Sequence, residues 1–521
     1  MKRTRKLLSL ALCLMMALPY ASSAVQTDTK LSPELITYEL MAYEHASQPW
    51  LQDAVVLQEI TDRTNVNIKI NAVPLSDHTA KLNVLLSTNQ MPDIVKTAVN
   101  GNEIKTYASS GIFLNLSEYM EEYAPNYYAL YQADPNISMY DYDGNTYGFV
   151  VLADKSNAPN APGLVLRHDL LEKNNLPLPA TTEELLESMI KLKELYPESQ
   201  PWTSRGSTEA LLNRSSYMLG AGFNMYYEPQ IGAWTYGQAT ENFKVILNYL
   251  NRAYKAGVLD VDYATMNNQL WQEKMNTGKS FMYIENPGFS RGMTANLRAT
   301  DPDALLTMAP IPANSVTNSA RALRYPSPED SFFIISADVE NPEVIVSLFD
   351  YLYSDEGAVL TNFGIEGLSF FYDENGSPQF IPEYAMQFAN EASPSYAIMS
   401  ALGSGQLGLA PRFMNTHMET SLNNALGLKE DLVLKHINES LNTDPAFEAA
   451  VINPPLTEDE NEIVTDILSR AKTYLLTEYD QFIIGEKSVD QWDDVIAQLQ
   501  SMDIQKVIDI YNTAYNRALG K

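Results

Sequence analysis

The chain has 521 residues, is 45% hydrophobic, and carries 65 acidic against 35 basic side chains, for a formal charge of -30. That length is too great for one compact core and calls for two or three structural units. So acidic a balance argues against nucleic acid and other polyanionic macromolecules, which are held through basic patches.

The amino terminus reads as an export signal spanning residues 1–24. Lys2, Arg3, Arg5 and Lys6 precede an apolar run from Leu7 to Leu18, and Ser22-Ser23-Ala24 supplies the small residues before a cut after Ala24. The run is too short to serve as a permanent anchor, and no other long apolar stretch follows, so the mature chain is expected to be soluble. Cys13 is the only cysteine and lies inside the apolar run behind Leu12, where a lipoprotein signal wants a small residue. Lipidation is therefore the less favoured outcome. Cleavage would leave a chain without a thiol, and disulfides, cysteine-zinc sites and thiol catalysis all drop out.

Beyond the signal, Leu35 to Met41 predicts a strand, Leu51 to Arg63 a helix, and the alternation in Val66 to Ile70 a second strand. Residues 80–95 follow with Leu82, Leu85 and Leu86 at helical spacing, a stop at Pro92, and a strand restarting at Asp93-Ile94-Val95. This β-α-β-α-β order implies a parallel sheet covered by helices, whose ligands gather at the carboxyl ends of the strands, near Glu44-His45 and Thr97 to Glu103. Asp141 to Tyr147 resembles a calcium loop, but its glycine comes fourth rather than sixth, and Asp143-Gly144 reads as a hairpin turn, as does Asn375-Gly376. Tyr147 to Leu152 reads as the first crossing between lobes. A second α/β unit opens at Leu164 to Arg167, with a capping box at Thr181 and Glu184 and an apolar stripe through Leu185, Met189 and Leu192. Later helices are expected over Glu241 to Lys255, after an Asn341 cap with Pro342 at the first position, and after a second capping box at Ser488 and Gln491 that buries Trp492.

The run from Ala80 to Val95, ending in Pro92-Asp93-Ile94, resembles the helix-turn-strand of the extracellular solute-binding proteins of family 1, the oligosaccharide-binding type that feeds ABC importers. Asp143-Gly-Asn-Thr-Tyr-Gly148, Leu166-Arg-His-Asp-Leu170, Leu178 to Leu185, Tyr249 to Asp260, Asn276 to Lys279, Asn362 to Gly367 and Phe482 to Glu486 with Trp492 are similar to later landmarks of that family, in the same order. The resemblance implies an α/β, two-lobed periplasmic-binding-protein type II fold, with lobes joined by crossing strands and a helical carboxy-terminal extension. The boundaries expected are 31–152 plus about 281–345 for the first lobe, and 153–280 plus about 346–521 for the second. It also implies a small-molecule ligand held in the cleft, a separate membrane permease as partner, a monomer, no nucleic acid and an extracytoplasmic location.

Motifs for catalysis are weaker. Gly288-Phe-Ser-Arg-Gly292 matches the G-x-S-x-G elbow of serine hydrolases and follows a strand, Phe281 to Glu285, but Glu285-Asn-Pro-Gly288 separates that strand from the serine, and neither His417 nor His436 sits in a recognisable setting. Thr277 to Ser280 is half of a phosphate loop with a strand following where a helix should, so it reads as a turn that ends a helix. The five histidines are scattered, and no cofactor or metal is expected. Carboxylates are numerous enough that composition leaves a glycosidase open.

For a binding cleft the expected groups are aromatics that stack on a sugar and charged side chains that bond polar groups. Trp50, Trp202 with Arg205, Trp234 with Tyr236, and Trp271 are candidates, as are Glu44 and His45 after the first strand and Glu285 and Asn286 after the strand at Phe281. For each aromatic the competing role is core packing, and for each loop residue plain solvation. The function expected is capture of a small polar solute, an oligosaccharide first, for an ABC importer. The alternatives are a peptide ligand, a secreted hydrolase, or a sensory binding protein.

Overall fold

The computed structural model describes residues 30–44, 49–51, 53–97, 107–153, 162–324, 331–389, 391, 394–403, 409–427, 432–433, 435–436, 439 and 446–520. The signal segment and His45 lie outside the described residues.

The first stretch contributes β1 (Ile36–Glu44), β2 (Val66–Pro74), β3 (Ile94–Lys96), β4 (Phe149–Val150) and β5 (Leu152–Ala153). Helices Val55–Thr64 and Leu75–Ser87 connect the first three, and β1 pairs in parallel with both β2 and β3. Leu40, Met41 and Ala42 are wholly buried, as a central strand covered on both faces requires. Asp93 explains the turn into β3, because its Oδ2 accepts the Glu39 amide at 2.8 Å and fastens that turn to β1. Asp143 and Gly144 both have positive φ, 49° and 74°, between the bridged Tyr142 and Asn145. They form the two-residue hairpin turn expected of an Asp-Gly pair.

The chain then builds a second lobe from β6 (Gly163–Arg167), β7 (Met225–Glu228), β8 (Ala233–Tyr236), β9 (Met282–Glu285), β10 (Leu306–Met308) and β11 (Ala322–Arg324). The sheet β10-β6-β9 is antiparallel throughout. Thr181 and Glu184 close a full capping box on helix Thr182–Leu195, which packs with helix Asn242–Lys255 in the core of this lobe.

β12 (Phe332–Ile335) returns to the first sheet and inserts antiparallel between β3 and β4, giving the order β2-β1-β3-β12-β4. Helices Pro342–Tyr353 and Asp355–Phe363, the hairpin β13 (Phe370–Tyr372) and β14 (Pro378–Phe380), helix Pro394–Leu402, β15 (Arg412–Phe413) and helix Asn415–Ala425 complete that lobe. β15 pairs with β5, where the chain first left. A third passage leads to β16 (Phe447–Ala449), which pairs with β11, and to helices Glu458–Ile484, Trp492–Ser501 and Ile504–Ala518 on the second lobe.

The expected lobe boundaries are therefore corrected. Residues 281–324 belong to the second lobe, because β9 and β10 flank β6; residues 331–427 belong to the first, because their apolar side chains join the core around β1 and β12. A second correction concerns Asn341, which adopts φ 54° and makes no side-chain cap; Pro342 alone starts that helix. Ser354 caps the next one, its Oγ accepting the Gly357 amide at 3.1 Å.

Candidate functional site

β6 begins where the chain enters the second lobe, and Gly163 pairs with Glu285, so β9 ends on the side facing the first lobe. Bridges from Trp202 to Leu259 and Met282 lay residues 202–205 beside β9 in parallel, which brings Arg205 out next to Glu285. Glu285 Oε2 accepts Arg205 Nε at 3.1 Å and meets Arg205 Nη2 at 3.0 Å and Arg214 Nε at 2.7 Å. Its Oε1 accepts the Asn286 amide at 3.0 Å. The Arg205 guanidinium also lies over Phe289, 5.0 Å from its centroid, with Trp271 at 5.9 Å. Arg214 Nη1 donates to the Arg205 carbonyl and holds that backbone in place.

On the first lobe, the carboxyl end of β1 carries Trp50. Its Nε1 donates to the Tyr43 carbonyl at 2.9 Å, and its amide donates to Glu44 Oε2 at 3.0 Å. Ser400 Oγ donates to the Pro49 carbonyl at 2.6 Å and ties this loop to helix Pro394–Leu402. Glu419, on helix Asn415–Ala425, is half-buried. Burial raises its carboxyl above the ordinary range, opposed by a hydrogen bond with Ser395 and by the positive charge of Arg291. Arg291 stands on helix Phe289–Leu297 of the second lobe, so its charge acts on a carboxyl of the first.

Several expected ligand contacts are thus corrected. Trp234 is only 2% exposed and is surrounded by Tyr227, Tyr511 and Tyr515 at 5.4 to 6.1 Å; it is core, sealed by the last helix. Tyr236 is buried in the same core, and Trp202 is buried edge-on against Tyr249 at 6.2 Å. Trp271 is also buried, behind Phe289. Glu285, 3% exposed and saturated by its partners, positions Arg205 rather than reaching out. Asn286 is half-buried and commits its Oδ1 to the Gly288 amide at 2.8 Å, shaping the turn into the helix. Trp50, Glu44 and Arg205 remain at the facing ends. Sequence reasoning missed Arg214, Phe289, Arg291 and Glu419: two sit inside the apparent hydrolase motif, and two on helices whose charges look like ordinary solvated ones.

Ser290 is buried in the first turn of its helix and donates to the Pro287 carbonyl at 2.7 Å. His417 lies on the first lobe, and the His436 ring packs 4.9 Å from that of His168. Among the described residues no three or more His, Cys, Asp or Glu stand together as metal ligands, and no helix is long and apolar enough to cross a membrane.

Two α/β lobes joined by three passages of the chain, with polar and aromatic groups at facing strand ends, define a two-lobed solute-binding protein. The chain belongs to the bacterial extracellular solute-binding protein family, which it matches over residues 48–359. It is 25% identical to the polygalacturonan/rhamnogalacturonan-binding protein YtcQ of Bacillus subtilis over 47% of this chain and 49% of that one, and so spans about half the length of that relative. It is 21% identical to lipoprotein LipO of the same organism over 68% of this chain and 73% of that protein. Among solved structures, the alginate-binding protein AlgQ2 without calcium ion superposes with a TM-score of 0.71 at 18% identity, covering 94% of this chain and 99% of that chain. The Streptococcus pneumoniae substrate-binding protein FusA, an EF-hand mutant with fructo-nystose, gives 0.70 at 16% identity, covering 93% and 99%. At such identities the likeness establishes the fold, and the family places the chain outside the cytoplasm as a binding protein.

Proposed function

We propose that this protein captures an oligosaccharide outside the cytoplasm and presents it, as a monomer and without catalysis, to the permease of an ABC importer. The observation that carries this reading is the pairing of an indole held at the end of β1, Trp50, with a guanidinium stacked on Phe289 at the end of β9, Arg205. An aromatic face suits the apolar face of a sugar ring, and a fixed fork of donors suits its oxygens. The relatives named for polygalacturonan/rhamnogalacturonan and alginate, and the complex with fructo-nystose, support a saccharide over a peptide. A serine-hydrolase reading draws no support from Ser290, whose hydroxyl is buried and committed.

The test is a thermal-shift screen against oligosaccharides and peptides. A saccharide at a hundred times its dissociation constant should stabilise the protein by about 2.7 kcal/mol. Stabilisation by peptides alone would overturn the reading. In the same assay Trp50→Ala should weaken the saccharide by roughly 1 to 3 kcal/mol, by analogy with stacking of other planar rings on aromatics.

A further inference from the structure

Two histidines far apart in the sequence meet at the end of β6 away from the cleft. His168 follows Arg167, the last residue of that strand, whereas Gly163 opens it on the side of the first lobe. His436 belongs to the third passage between the lobes, which is fastened to β10: Thr307 Oγ1 donates to the Val433 carbonyl at 2.9 Å, and Val433 packs against Met308. The two imidazole rings lie 4.9 Å apart, centre to centre, tilted by 40°.

Each ring carries a buried nitrogen with no hydrogen-bond partner among the described residues, Nε2 of His168 and Nδ1 of His436. Such a nitrogen costs free energy that two apolar rings of the same size would not. His168 is 6% exposed and hydrogen-bonds the Met308 backbone. A ring fixed to a carbonyl through one nitrogen, with the other left bare, is how proteins orient an imidazole toward a metal. Burial also keeps that ring neutral well below pH 7, which is the form that ligates. A divalent ion bound at about 2.0 to 2.1 Å lies about 3.2 Å from the centre of each ring, so two ligating rings at right to tetrahedral angles stand about 4.5 to 5.2 Å apart. The observed spacing falls inside that window.

We propose that His168 Nε2 and His436 Nδ1 together bind one transition-metal dication of the zinc, nickel and copper class, which imidazole suits better than it suits calcium or magnesium. Asp169 does not complete the set, because its Oδ1 accepts Arg167 Nε at 2.8 Å and the Leu305 amide at 2.9 Å, and its Oδ2 accepts Arg167 Nη2 at 2.6 Å. No third His, Cys, Asp or Glu joins the pair among the described residues, and His436 is half-buried, so water fills the remaining positions. The ion ties the third passage to the second lobe.

Titration calorimetry with zinc chloride on the chelator-washed full chain, beside calcium chloride, tests this. Zinc should bind as one ion per chain and raise the melting temperature, and calcium at the same concentration should do neither. His436→Gln should weaken zinc by at least about tenfold and abolish the shift. His436 is half-buried, so that variant should fold; His168→Gln, where it folds, should weaken zinc equally. Imidazole nitrogen NMR of the parent reads His168 without a variant, since zinc should move the Nε2 resonance of His168 and the Nδ1 resonance of His436 together. Zinc uptake unchanged in His436→Gln, uptake that calcium displaces, or ring nitrogens unmoved at saturating zinc would overturn the site.

Discussion

Glu285 holds two guanidiniums with one carboxylate, and removing its charge should be felt at the ligand although it touches none. Glu285→Gln leaves Arg205 free to rotate off Phe289, so saccharide affinity should fall while the unliganded fold loses stability as well, because two arginines then lack their buried partner. Titration and melting of the same variant read both effects. Trp234 is the opposite case. Trp234→Ala should cost about 3 to 5 kcal/mol of stability, as for other buried tryptophans, and leave the saccharide dissociation constant of the folded fraction unchanged. A weakened affinity in a protein with unaltered melting would show that its indole meets the ligand after all. His168 gives a pH signature. Burial first, and the neighbouring His436 second, lower its pKa to about 4 from the ordinary 6.5. The unfolded chain takes up this proton at a higher pH than the folded one does, so the contribution is fully present above pH 6.5 and is lost as pH falls toward 4, by about 3 kcal/mol at most. The melting temperature of His168→Gln should accordingly depend less on pH between 7 and 4 than that of the parent.

At the scale of elements, local chemistry was legible wherever the interaction is local. The boxes at Thr181 with Glu184 and at Ser488 with Gln491 form as read, although the second opens a single 3₁₀ turn, Val489–Gln491, before the helix that buries Trp492. Thr181→Ala should destabilise the second lobe by about 1 kcal/mol, seen as a lower urea midpoint with an unchanged slope. Asn341 carries the right residue type for a cap, yet the chain enters that helix through a left-handed turn that aims its side chain elsewhere. The aromatic candidates failed for a related reason. Trp234 sits in a turn-rich stretch with no periodic partner of its own, and its partners Tyr511 and Tyr515 arrive 277 residues or more later in the chain. No local pattern contains that meeting. Arg205 and Trp50 each follow a strand or strand-like segment that the sequence itself marks, and the structure keeps them at its end.

For the whole molecule, the two-lobed class was legible from the order of motifs, while the assignment of strands to lobes was not. A short apolar strand such as Phe332–Ile335 carries no mark of the sheet it will join, and only its pairing with Ile94–Lys96 reveals it. With charged groups on facing walls and three connections between lobes, ligand contact with both sides should favour a closed arrangement. Small-angle scattering should report a smaller radius of gyration when saturating saccharide is added; an unchanged radius would mean that the ligand rests on one lobe alone.

Residues 446–520 return to a lobe begun at residue 162. Neither lobe can finish folding from a contiguous stretch: the first waits for residues 331–427, and the second for the final helices that seal Trp234 and Trp492. During synthesis a long emerging chain therefore stays without either completed core. Such contacts of high sequence separation fold slowly. That delay suits a protein read as exported, because a chain still unfolded when it meets the membrane can be threaded through before its cores close. A chain stopped at residue 445 should accordingly keep a second lobe that fails to melt cooperatively, detectable by tryptophan fluorescence, however complete the first lobe is.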